Sequence, residues 1–272
     1  LRVAVVGLGL IGGSIALAAR ERMGAEVSGW DLDAGAVEAA IARGAIDLSA
    51  NSSADAVAAA DVVFVAAPVG ALVELVSAVL DAAPPGAVIT DVGSTKRTVV
   101  QSIDDPRFIG GHPLAGGETS GIEHARADLF DASTWYLTPG SFTATTATAR
   151  IGELVGVFGA TTSELDADTH DRLMAAVSHL PHVFANVLVS HLVAADVPVA
   201  LGPSFRDATR VAGSNPAVWS AIFMDNRDEL VVALDDAMKL LEDVRDSLAG
   251  ADRDAVVRWC EQAASDVRRL AR

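Results

Sequence analysis

The chain has 272 residues, of which 51% are hydrophobic, and a formal net charge of −16. That length suits one large domain or two modest ones around a real core. The charge argues against nucleic acid as a partner, because phosphate binding needs a basic face.

No apolar run reaches the about 20 residues needed to cross a bilayer, so no membrane span is expected. The front of the chain shows no charged stretch followed by an apolar one, as a secretory leader would. The single cysteine, Cys260, cannot form an intramolecular disulfide or a cysteine-ligated metal cluster. A cytoplasmic location fits these features. Only Lys96 and Lys239 are lysines; the other cations among the 20 Lys and Arg are arginines. An anionic ligand would therefore be met by local arginines against an unfavourable overall field.

The first half alternates between two periodicities. Strands are expected at 2–6, 26–30, 61–66, 88–91, 107–110, 135–138 and 161–165. Helices are expected at 12–22, 34–43, 72–82, 96–103 and 147–158. Pro84-Pro85-Gly86 marks a turn. Strands alternating with helices at this spacing read as a parallel, doubly wound sheet. After Asp168 strand-like runs stop. Leu230, Leu234, Met238, Leu241, Val244 and Leu248 recur at three- and four-residue steps, one apolar stripe on a helix. The boundary is placed near 166, giving an α/β part at 1–166 and an all-α part at 167–272.

Gly7-Leu8-Gly9-Leu10-Ile11-Gly12 follows the first strand and opens the first helix. Glycines there let the backbone turn tightly and approach a pyrophosphate. The helix start offers free N–H groups and the positive end of its dipole. Asp31 stands 19 residues after Gly12, at the end of the second strand. A carboxylate there accepts from ribose hydroxyls and repels a 2′-phosphate, which favours NAD over NADP. Arg20 and Arg22 on the first helix are the features that would favour NADP. Pro68, which ends the third strand, either lines the crevice at the carboxyl ends of the strands or simply terminates the strand.

Two further stretches fall at that crevice. Ser94, in Asp91-Val92-Gly93-Ser94-Thr95-Lys96, either bonds a ligand or caps the following helix. His112, in Gly110-Gly111-His112-Pro113-Leu114-Ala115-Gly116, is expected in a glycine-rich loop just after a strand. A neutral histidine there can take the proton of an alcohol as hydride leaves its carbon, at a gain of about 10²–10⁴-fold. Ser178-His179-Leu180-Pro181-His182 puts two histidines three apart on one helix face; with no further ligand paired to them, anion recognition or packing is favoured over a metal. Arg206 and Arg210 lie four apart, on one helical face, and arginine grips carboxylates through a two-pronged fork.

The stretch 110–116, then 178–182, then Thr209-Arg210-Val211-Ala212-Gly213-Ser214-Asn215-Pro216 with Trp219 resemble the prephenate/arogenate dehydrogenases of tyrosine biosynthesis. The resemblance runs from residue 2 to about 240, and the three motifs in this order are specific. It implies a Rossmann-like domain followed by a helical dimerisation domain, and therefore a homodimer. It implies NAD-dependent oxidative decarboxylation of prephenate to 4-hydroxyphenylpyruvate, with arogenate as the alternative substrate. His112 would be the base at the ring hydroxyl, Ser94 would lie near that hydroxyl and the nicotinamide, and Arg210 would hold a substrate carboxylate. His179 and His182 would lie near the substrate pocket, and Ser214 and Trp219 near the active site or the neighbouring subunit. Arg206 stands where relatives carry lysine, and the two cations are not equivalent at a carboxylate. Glu118, just past the histidine motif, could meet the ammonium of arogenate. A β-hydroxyacid dehydrogenase would need a lysine base on a second-domain helix, where only Lys239 stands. A catalytically dead module would not need His112 and Arg210.

Overall fold

The computed structural model describes residues 1–116, 119–195 and 200–270. Strand β1 (Arg2–Val6) opens the chain and the glycine turn leads into helix α1 (Leu10–Met23). Then follow β2 (Glu26–Trp30), α2 (Ala34–Ala42), β3 (Leu48–Ser49), α3 (Ser53–Val57) and β4 (Val62–Val65). Next come α4 (Leu72–Ala82), β5 (Val88–Asp91), α5 (Arg97–Ser102), β6 (Phe108–Pro113), β7 (Thr134–Thr138), α6 (Thr145–Val157) and β8 (Thr161–Glu164). The eight strands form one sheet in the order β3-β2-β1-β4-β5-β6-β7-β8.

β1 lies between β2 and β4, parallel to both, so the strand order reverses beside it. In such a sheet, ligands bind at the carboxyl ends of the strands at the reversal. Both faces are covered, which is why β1 and β4 read as unbroken apolar runs. Val3, Val5 and Phe64 enter one core with Ile15 of α1, and Ala4, Val6, Val63 and Val65 enter the other with Leu72 and Val76 of α4. Each such large apolar side chain contributes about 1.5–3 kcal/mol on burial.

The sheet departs from the expected pattern in three ways. β7 runs antiparallel to β6, pairing His112 with Tyr136, while β8 returns parallel to β7. β6 continues past 110 to Pro113, so His112 sits in a strand and not in the loop after it. β3 and α3 were not foreseen; β3 is two residues long with both exposed, and α3 is a five-residue helix whose cap Ser52 accepts from the amide of Asp55.

Beyond the sheet lie α7 (Ala167–Met174), a π turn (Ala175–His179), α8 (Leu180–Ala194), α9 (Pro203–Thr209), a 3₁₀ turn (Arg210–Gly213) and α10 (Pro216–Asp225). Residues Leu1–Asn226 form one compact unit, and Arg227–Arg272 a second, made of α11 (Arg227–Ala249) and α12 (Arg253–Leu270). On α11 the apolar stripe starts at buried Leu230, while Met238, Leu241 and Leu248 are exposed. The helical run Ala167–Ala194 is long and apolar enough to cross a membrane by length and composition alone, contrary to the expectation that no such run exists. Its isolated His, Asp and Asn residues disguise that character in the sequence, and several of them build the candidate site.

Candidate active site

The nucleotide cradle begins with steric necessity. Gly7 has φ +98°, and a Cβ on it would strike the Ala66 carbonyl; a Cβ on Gly12 would strike the Gly7 carbonyl. Gly9 faces open space, which leaves room for a ligand at the start of α1, whose cap is Gly9 itself. A cavity of about 660 Å³ opens there, lined by Gly9, Leu10, Ile11, Gly12, Pro68, Ser94, Ser214 and Trp219 among others. Helix α5 starts only at Arg97 with Lys96 as its cap, so Ser94 faces the cavity and does not cap the helix. Pro68 likewise faces it.

A second cavity, of about 420 Å³, is lined by Leu8, Gly9 and Asp31 together with Asp33 and Glu123. Asp31 accepts from the amide of Leu8 at 2.6 Å and from that of Asp33 at 2.8 Å. These bonds hold the carboxylate at the end of β2, and each oxygen keeps a lone pair for a ribose hydroxyl. Arg20 and Arg22 are engaged elsewhere: Arg20 with the Gly44 carbonyl and Asp47, Arg22 with Asp131 and the Phe158 carbonyl. The cradle therefore fits a dinucleotide whose ribose carries a free 2′-hydroxyl.

At the end of β6, His112 Nδ1 lies 2.9 Å from Nε2 of His170, and His170 Nδ1 lies 2.8 Å from Oδ1 of Asp171. Asp166 caps α7 by accepting from the amide of Thr169, and this first turn carries His170 and Asp171 inward. Asp171 also accepts from the amides of Lys96 at 2.7 Å and Arg97 at 2.9 Å. These bonds lower its pKa against the opposing effect of burial, the largest single influence on it. The carboxylate can only accept, so His170 donates from Nδ1. In the tautomer that leaves His170 Nε2 as an acceptor, His112 donates from Nδ1 and the lone pair of His112 is at Nε2. Burial pushes the pKa of His112 well below its ordinary value, with further lowering from His170, Lys96 and His179. His112 is thus a neutral base with a defined acceptor nitrogen.

A buried ion pair adjoins this relay. Lys96 and Asp91 are both wholly buried and paired through Nζ and Oδ2. Asp91 also accepts from the amide of Gly93 at 2.8 Å and from that of Gly111, the residue before His112, at 3.1 Å. A carboxylate at this depth is stable because each oxygen is hydrogen-bonded and a cation is in contact.

The helical half adds a second histidine cluster. His179 ends the π turn and His182 lies in the first turn of α8; both are buried. His182 stacks on Trp219 with ring centroids 3.7 Å apart, and His179 meets Trp219 edge-on at 6.2 Å. Burial brings the pKa of His179 to about 4 and also lowers that of His182. Among the described residues no group of three His, Cys, Asp or Glu is arranged to hold a metal. Arg206 is exposed on α9. Arg210 is exposed at the start of the 3₁₀ turn, where it also caps α9. That turn leads directly to Ser214 at the cavity. Glu118 lies outside the described residues.

His170, Asp171, Lys96 and Asn226 belong to the networks around His112 and His179, yet sequence reasoning passed over them. The adjacent pair in Thr169-His170-Asp171 was the available signal for the relay, but its partner His112 lies 58 residues earlier.

A family profile described as "Prephenate dehydrogenase, nucleotide-binding domain" matches residues 15–164, and one described as "Prephenate dehydrogenase, dimerization domain" matches residues 166–262. The chain is 33% identical to a prephenate dehydrogenase of Bacillus subtilis, over 96% of this chain and 74% of that protein. Its fold is similar to the crystal structure of prephenate dehydrogenase from A. aeolicus in complex with hydroxyphenyl propionate and NAD+, with TM-score 0.92, 28% identity, and 99% and 98% of the two chains covered. It is also similar to the crystal structure of a Synechocystis arogenate dehydrogenase, with TM-score 0.84, 26% identity, and 99% and 100% covered.

Proposed function

The chain belongs to the prephenate dehydrogenase family, and from that premise we propose that it converts prephenate to 4-hydroxyphenylpyruvate by NAD-dependent oxidative decarboxylation. Prephenate is a cyclohexadienol with a ring carboxylate and a pyruvyl side chain. Oxidation of the hydroxyl-bearing carbon gives a ketone conjugated to the ring; the ring carboxylate then leaves as CO₂, and aromatisation drives the step. NAD, when bound, supplies the hydride acceptor. The observation that carries the reading is the buried His112 in line with His170 and Asp171, its pKa held well below the ordinary value chiefly by burial, an arrangement that suits a base accepting at Nε2.

In this reading Gly7, Gly9, Leu10, Ile11 and Gly12 hold the pyrophosphate, Asp31 the adenosine ribose, and Pro68 the crevice wall. His112 takes the proton of the ring hydroxyl, and Ser94 orients that hydroxyl. Arg210 holds a substrate carboxylate with Arg206 as a supporting cation, and His179, His182 and Ser214 complete the pocket. The nucleotide-binding part is placed at 1–166 and the dimerisation part at 167–272; the two family profiles, which meet at the same point, support this. The protein acts as a cytoplasmic homodimer. Exposed Val187, Leu188 and Val193 on α8 and Met238 and Leu241 on α11 supply apolar surface for a second copy.

The deciding experiment follows reduced-nicotinamide absorbance with prephenate or arogenate crossed against NAD or NADP. NADH formed with prephenate supports the reading. A signal only with arogenate transfers the same mechanism to that substrate and turns attention to Glu118. Silence with every pair, with NAD still binding, overturns it.

A further inference from the structure

Asn226 closes α10 and is buried, as is its partner His179. Its amide nitrogen donates to the carbonyl of Asp171 at 2.7 Å and lies 3.1 Å from Nδ1 of His179. A peptide carbonyl can only accept, so the NH₂ end of the amide must face it; the opposite rotamer would set two oxygens against each other. The second hydrogen of the same NH₂ then points to His179, whose Nδ1 must carry a lone pair. The ring is neutral, because burial dominates over the opposing pull of Asp171, with His170 and His182 adding to the lowering. A neutral imidazole with a lone pair at Nδ1 holds its proton at Nε2. The same ring stands edge-on to Trp219 and Phe223, and Trp219 lines the cavity that also contains Ser94.

We propose that Asn226 is a positioning residue that fixes His179 as its Nε2–H tautomer, so that His179 acts as a neutral hydrogen-bond donor to the substrate. The substrate half of this statement rests on the function proposed above; the tautomer half does not. Asn226 connects two parts of the site, because the residue whose carbonyl it holds, Asp171, also orients His170 against His112. The neighbouring Asp225 accepts from Thr95 Oγ1 at 2.5 Å, so the end of α10 also restrains the loop that carries Ser94.

The test is a two-bond ¹H–¹⁵N histidine spectrum of the unmodified protein, with the His179 signals assigned by their loss in His179→Gln. The expected pattern is a pyridine-type Nδ1 and a pyrrole-type Nε2 at neutral pH. A proton at Nδ1, or a charged ring, overturns the proposal whether or not the protein turns over prephenate. In Asn226→Leu the tautomer preference is expected to be lost and KM for prephenate to rise on the order of tenfold, with a smaller change in kcat. A side-chain amide in Gln reaches the Nε2 position and one in Asn the Nδ1 position, so His179→Gln should raise KM less than His179→Asn. The reverse order, or a folded Asn226→Leu protein with KM unchanged, also refutes it. If Asn226→Leu does not fold, the spectrum of the unmodified protein and the two His179 variants still decide.

Discussion

Replacing His170 by Leu tests the base relay without touching substrate. His112 Nδ1 lies 2.9 Å from His170 Nε2 and donates to it in the tautomer with its lone pair at Nε2. Leu removes that acceptor and leaves a buried N–H unsatisfied, at a cost of about 1–3 kcal/mol. The penalty falls on the tautomer whose lone pair is at Nε2, the one that can accept the hydroxyl proton. Since about 1.4 kcal/mol is a factor of ten, its population relative to the other tautomer falls about five- to a hundredfold, and kcat falls by up to that factor. KM for prephenate should hold, because His170 is placed behind His112. The pH profile supplies a second sign. His112 acts as a neutral ring, and burial, His170, Lys96 and His179 all lower its pKa. Activity of the unmodified protein should therefore persist as pH falls through 6.5. The assay is initial NADH absorbance with prephenate from pH 5 to 9, beside a melting curve. A folded variant with kcat within about twofold of the parent would refute the relay.

Three further outcomes are expected. His112→Asn should cut turnover by at least about two decades while NAD affinity, read by fluorescence titration, changes little. Arg210→Gln should mainly raise KM for prephenate in steady-state kinetics; an unchanged KM removes its carboxylate role. Stability should fall on acidification because His179 is neutral when folded, with a pKa near 4, and ordinary when unfolded, near 6.5. The unfolded chain binds the extra proton between those values, so this stability is full above about 6.5 and is lost as pH falls toward 4, up to about 3 kcal/mol. Urea denaturation at pH 7.5 and 4.5 measures it, and His179→Gln should weaken the dependence.

The parts readable in the sequence were those set by short-range physics. The glycine turn between β1 and α1, and Asp31 at the end of β2, are fixed by spacing along the chain, and the structure places both at cavities beside the strand-order reversal. The parts that were not readable depend on distant partners. His112 was expected in a glycine-rich loop because the strand reads as ending at Gly110, with Gly111, Pro113 and Gly116 around the histidine. Gly110 and Gly111 are instead required by crowding within the sheet, where a Cβ on Gly111 would meet the Asp91 carbonyl and Thr90 Oγ1 at 2.7 Å. Nothing local announces that β7 will pair antiparallel to β6, since strand direction is decided by the connection and the packing beyond it. His179 and His182 do share one face, both meeting Trp219 and Phe223, although that face is reached through a π turn at Ala175–His179. Arg206 and Arg210 were expected on one unbroken helix, whereas the α-helix stops between them at Thr209 and Arg210 begins a 3₁₀ turn.

The burial of Lys96 has a practical side. The chain carries two lysines, and they differ as much as two lysines can: Lys239 is exposed on α11, whereas Lys96 is sealed against Asp91. An amine-reactive reagent should modify Lys239 at once. It can reach Lys96 only when the segment joining β5 to α5 opens, and the rate of that slow labelling measures the free energy of opening. Two mass-resolved peptides would thus report surface reactivity and local unfolding in one sample, and the slow one should slow further when ligand fills the cavity lined by Ser94.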